Sequence, residues 1–162
     1  SMRFNKLSLL LIGCAMAQLV QAHEFDAGQL HIDHPWSRAL PPVAPAGAAY
    51  LSISNHGDSA DTLLGAQTEV AGKVEIHEHV HADGMMKMQR VESLVIEPGA
   101  TVTFAPGGYH LMLFNLARPL AAGDSYPLML QFANTGEVEV QVNVQADDEP
   151  SSAQEEHHHQ HH

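Results

Sequence analysis

Val138, Val140, Val142 and Val144 alternate with Glu139, Gln141 and Asn143, a period of two that suits a strand with one face buried and one in water. A helix would scatter these valines around its circumference. Shorter stretches share the pattern: Leu30 and Ile32 alternate with His31 and Asp33, and Leu51 and Ile53 with Ser52 and Ser54. Strands are expected at 30–34 (ended by Pro35), 48–54, 61–65, 74–80, 91–96, 101–104, 109–114, 126–132 and 137–144. Asn55-His56-Gly57-Asp58, Ala82-Asp83-Gly84, Glu97-Pro98-Gly99 and Asn134-Thr135-Gly136 supply turns between them. Many short strands with turn signals, and no long helical pattern beyond residue 22, imply an all-β sandwich or barrel.

The ends differ in composition. Ser1 precedes Met2 and is set aside as a cloning remnant. Arg3 and Lys6, the apolar run 7–20 and the small-residue site Val20-Gln21-Ala22 read as an export signal over 1–22. That run, broken by Gln18, is short for a membrane span, which takes about 20 apolar residues. Leu11-Ile12-Gly13-Cys14 offers an alternative, a lipidation site at Cys14. The folded domain is then expected over 23–144, opening with a short disordered arm at 23–29. Residues 145–162 are acidic and polar and end in His157, His158, His159, Gln160, His161 and His162, a disordered tail whose imidazoles suit Cu(II).

Acids outnumber bases 19 to 7, for a formal charge of −12. That balance argues against nucleic acid and anionic membrane as partners. The single cysteine lies in the signal, so the domain has no disulfide.

The chemistry concentrates between Val74 and Met112. In Val74-Glu75-Ile76-His77-Glu78-His79-Val80, period two places His77 and His79 opposite the apolar Val74, Ile76 and Val80. In Tyr109-His110-Leu111-Met112-Leu113 it places His110 and Met112 together, opposite Leu111 and Leu113. Met88 follows the turn at Asp83-Gly84 and is expected to return beside His77. A methionine alone in an apolar segment usually fills a core. Two imidazoles and two thioethers, with His79, His81, Met85 and Met86 as accessories, instead form a soft, neutral set suited to Cu(I). Without a cysteine the set cannot be a blue-copper site, so storage or transfer fits better than electron transfer.

The spacing H-x10-M-x21-H-x-M, written by His77, Met88, His110 and Met112, resembles the signature of the PCu(A)C periplasmic copper chaperones. His34-Pro35-Trp36-Ser37-Arg38, Val74-Glu75-Ile76-His77-Glu78, Met86-Lys87-Met88 and Pro106-Gly107-Gly108-Tyr109-His110-Leu111-Met112 extend the resemblance over 28–144. It implies a cupredoxin-like, Greek-key β-barrel or sandwich. It also implies a monomeric periplasmic protein, not an enzyme, that binds Cu(I) and passes it to a cytochrome c oxidase subunit or another copper chaperone. His79 departs from the pattern, since many members carry methionine there, and hints at a fifth ligand or a second site. Two alternatives stay open: a copper buffer or resistance protein without a dedicated acceptor, and a histidine-brace copper enzyme built on an amino-terminal His23.

Overall fold

A computed structural model describes residues 23–146. The described residues form eleven strands: β1 Glu24–Ala27, β2 Leu30–Arg38, β3 Ala46–Asn55, β4 Asp61–Gln67, β5 Ala71–Ala82, β6 Met85–Val91, β7 Leu94–Ile96, β8 Thr101–Phe104, β9 His110–Leu116, β10 Ser125–Phe132 and β11 Gly136–Gln145. Among them no helix is long and apolar enough to cross a membrane. The expected signal, Cys14 and the residues from 147 onward lie outside the described residues.

Strand alternation builds the core. β3 alternates buried and half-buried residues along its whole length, and on β11 Val138, Val140, Val142 and Val144 are buried. Inward side chains of β2, β3, β4, β9, β10 and β11 join one apolar cluster, with Ile32, Leu51, Leu63, Leu111, Leu128 and Val140 at or near zero exposure. Burying a side chain of this kind contributes about 1.5–3 kcal/mol. Within this interior the Ser37 and Tyr126 hydroxyls meet at 2.6 Å and tie β2 to β10. Burial raises the Tyr126 phenol well above its ordinary value, so it stays neutral.

The strands run β6-β5-β9-β3-β2-β11-β10-β4-β7, with β1 on β2 and β8 on β3. β2 and β11 pair in parallel, which takes a crossover and not a hairpin. β3 is the hinge of the sheet. Its first half pairs with β9 through Ala46–Ala49, and its second half pairs with β8 through Leu51–Ser54. The sheet therefore folds over one core, with β6 and β7 at the two ends of the strand order, a cupredoxin-like all-β fold in its open, sandwich form.

Several boundaries differ from the sequence expectation. Residues 23–29 are no disordered arm: Phe25 and Ala27 pack on the core, and Glu24, Asp26 and their neighbours pair with β2. β2 does not end at Pro35. It continues to Arg38 after an irregularity between Asp33 and Trp36, where His34 takes φ 48. The strand expected at 91–96 is the end of β6 and the separate β7. β11 reaches Gln145, which the expected boundary had placed in the tail. Gln145 pairs with Arg38, so the ladder extends one residue beyond the last valine.

Candidate metal centre

β5, β6 and β9 lie side by side. The β5–β6 hairpin turns through Asp83 and Gly84, at φ 53 and 75, the two-residue turn with both central residues in the left-handed region. β5 also pairs with β9, setting Ile76 against Leu111, His77 against His110 and Glu75 against Met112. Ile76 and Leu111 are buried, so residues of the opposite parity stand on the outer face. That face carries Met86, Met88 and Arg90 on β6, then Glu75, His77, His79 and His81 on β5, then His110 and Met112 on β9.

The register brings His77, His110, Met88 and Met112 together, with one correction. Met88 lies opposite His79, and Arg90 is the residue opposite His77. Met88 and Met112 thus each sit one step diagonally from His77, within reach for long side chains. The His79 ring stands as near to His110 as the His77 ring does, with centroids 5.2 Å apart against 5.7 Å for His77 and His110. His81 and Met86 oppose each other farther along the same face. Met85 opposes Ala82 and by parity stands on the other side of the hairpin, which separates it from the cluster.

Burial grades across the site. His110 is buried, the His77 side chain is 12 % exposed and Met88 is 48 % exposed. Burial lowers the His110 pKa, the Gly108 carbonyl opposes that shift, and the neighbouring His79 and His77 rings add to it. The ring is therefore neutral near pH 7, the form that ligates a metal. Its Nδ1 lies 3.3 Å from the Gly108 carbonyl. His77 Nε2 lies 2.7 Å from Glu75 Oε2, while Lys73 and Arg90 approach Glu75 Oε1 at 3.2 and 3.8 Å. The hydrogen bond from His77, aided by Lys73 and Arg90, holds the Glu75 carboxyl below the usual carboxylate range against the effect of desolvation. His77 Nδ1 is buried with no hydrogen-bond partner. Buried polar atoms are nearly always paired, so this nitrogen is chemically suited to a metal.

Two groups escaped the sequence reading. Glu75 was legible only as a polar-face residue; its bond to His77, two positions on, follows from strand parity. Glu24, His31 and Asp33 bring ligand atoms within 4.8 Å of one another on the β1–β2 hairpin, which the expected arm had hidden. His23 lies beside His34, with ring centroids 6.3 Å apart, and is bonded to Asn143.

Residues 30–144 match the LpqE-like family, described as "Putative lipoprotein LpqE-like". The chain is 31 % identical over 140 residues to Lxx21020 of Leifsonia xyli subsp. xyli, likewise named as a lipoprotein, covering 83 % of this chain and 82 % of that protein. Among solved structures it is similar to the copper-bound PCuAC domain from PmoF2, at 28 % identity and a TM-score of 0.66, covering 77 % of this chain and 99 % of that one. It is also similar to Cu(I)-bound DR1885 of Deinococcus radiodurans, at 28 % identity and a TM-score of 0.61, covering 82 % and 87 %.

Proposed function

The chain belongs to the LpqE-like, or PCuAC, family, and from that premise we propose that it is an exported copper chaperone holding Cu(I) through His77, Met88, His110 and Met112. The observation that carries the reading is the direct opposition of His77 and His110 on adjacent strands, with a thioether diagonal to His77 on each side. Neutral imidazole and thioether donors favour Cu(I) and lose no proton on binding. The lipoprotein names of the family and of its Leifsonia relative support export, by the signal at 1–22 or through lipidation at Cys14.

The cargo is delivered, not transformed. Rigid β5 and β9 present the imidazoles. Met88 lies on the exposed edge strand β6, where an acceptor's ligand replaces it first. Copper then passes by one-for-one ligand exchange to a copper centre of cytochrome c oxidase. His157, His158, His159, His161 and His162 supply a separate Cu(II) site.

The deciding experiment is an anaerobic Cu(I) competition titration of the protein and its Met112→Ala and Met88→Ala variants, followed by transfer to an apo-oxidase copper domain. Each substitution is expected to weaken binding roughly a hundredfold, or about 2.7 kcal/mol. Unchanged affinity in both variants would refute the ligand assignment. Tight binding with no transfer would leave a buffer.

A further inference from the structure

Glu75 faces the same side of β5 as His77 and lies across from Met112, yet a hard carboxylate has no place in a soft Cu(I) set. We propose that Glu75 is the positioning residue of this site: its carboxylate accepts the Nε2–H of His77 and thereby presents Nδ1 as the ligating atom. The proposal rests on His77 being a copper ligand.

Three observations carry it. Glu75 Oε2 lies 2.7 Å from His77 Nε2, with both side chains largely buried. Lys73 and Arg90 approach the other oxygen, Oε1, and leave Oε2 to the imidazole. Finally, His77 Nδ1 is buried and unpartnered. An ionised carboxylate only accepts hydrogen bonds, and a neutral imidazole has a single N–H. The proton therefore sits on Nε2 and the lone pair on Nδ1, the atom for which the fold supplies no donor.

His110 is built in the opposite sense. Its Nδ1 faces the Gly108 carbonyl, which also only accepts, so its proton sits on Nδ1 and its free lone pair on Nε2. The directly opposed rings thus ligate through different nitrogens. Carboxylate or carbonyl partners of this kind fix the tautomer of a ligating histidine, orient its ring and raise its basicity.

The test uses nitrogen-15 NMR of the full-length protein, apo and loaded with Cu(I), which is diamagnetic, together with Cu(I) affinity. Apo His77 is expected as the Nε2–H tautomer and His110 as the Nδ1–H tautomer. Copper should shift His77 Nδ1 and His110 Nε2. Glu75→Ala is expected to redistribute the His77 tautomers and weaken Cu(I) binding about 10- to 100-fold, with the fold intact by circular dichroism. Glu75→Gln, which keeps an acceptor oxygen without the charge, should recover part of that loss. A His77 Nδ1–H tautomer, or a copper-induced shift at His77 Nε2, would overturn the proposal by making Glu75 a competitor for the copper-binding nitrogen. Wild-type affinity in Glu75→Ala alongside impaired Met112→Ala would overturn the role of Glu75 alone. Wild-type affinity in both would remove the copper assignment beneath it.

Discussion

Two clusters of low-exposure polar groups sit in this domain and are finished differently. At Asp61, which opens β4, Oδ1 accepts from the backbone N–H groups of Thr62 and Asn134, and Oδ2 accepts from the N–H and hydroxyl of Thr135, all between 2.6 and 3.0 Å. Every oxygen is used, and the β10–β11 turn is clamped to β4. At His77 and His110 a buried nitrogen is unpaired, three imidazoles crowd together, and the exposed Met88 and half-buried Met112 flank them. An unsatisfied buried acceptor costs stability. A satisfied cluster serves the fold, whereas an unsatisfied one beside soft donors fits the copper site proposed for it.

If that contrast is right, the two clusters respond to opposite measurements. Asp61→Ala is expected to lower unfolding stability by about 3 kcal/mol, because partly buried donors lose a charged acceptor, while Cu(I) affinity stays at the wild-type value. Denaturant melts paired with copper titration check this, and a joint loss of both would erase the distinction. Copper should in turn stabilise only the native state: at a free concentration 100 times Kd, unfolding becomes harder by about 2.7 kcal/mol. Met112→Ala is expected to abolish most of that gain in a thermal melt, and Asp61→Ala to keep it.

Acid sharpens the comparison further. Desolvation pushes the Asp61 carboxyl up, but its hydrogen bonds from Thr135, Asn134 and Thr62 outweigh this and hold it below the usual carboxylate value. A depressed folded pKa contributes stability that is fully present above the unfolded value near 3.9 and is lost as pH falls through the folded one. Asp61→Asn should therefore flatten the acid limb of the stability curve below about pH 4; an unchanged limb would show that Asp61 does not drive it. The smallest effect separates the faces of β6. Met86→Ala is expected to weaken Cu(I) binding a few-fold, roughly 0.5–1 kcal/mol, and Met85→Ala not at all. Equal effects would mean that strand parity does not divide these two thioethers.

Much of this was legible along the chain because it depends on parity alone. Alternation placed Ile76, Leu111 and Leu113 on the core face and His77, His110 and Met112 on the opposite one, and Asp83-Gly84 marked the hairpin turn. Strand ends were less legible. Pro35 signals a stop, yet β2 absorbs it in an irregularity because Trp36 and Ser37 continue into the core. Residues 23–29 look too polar to fold, yet half of β1 faces inward on Phe25 and Ala27.

By itself the sequence determined the all-β class, the buried and exposed faces of each strand, and the chemical kind of donor available, since side-chain alternation and ligand softness are local properties. Only the tertiary structure decided that His77 meets His110 and that Met112 comes to stand opposite Glu75, diagonal to His77. Those are matters of register between strands far apart in the chain, set by how the whole sheet folds over its core and carried by no single segment.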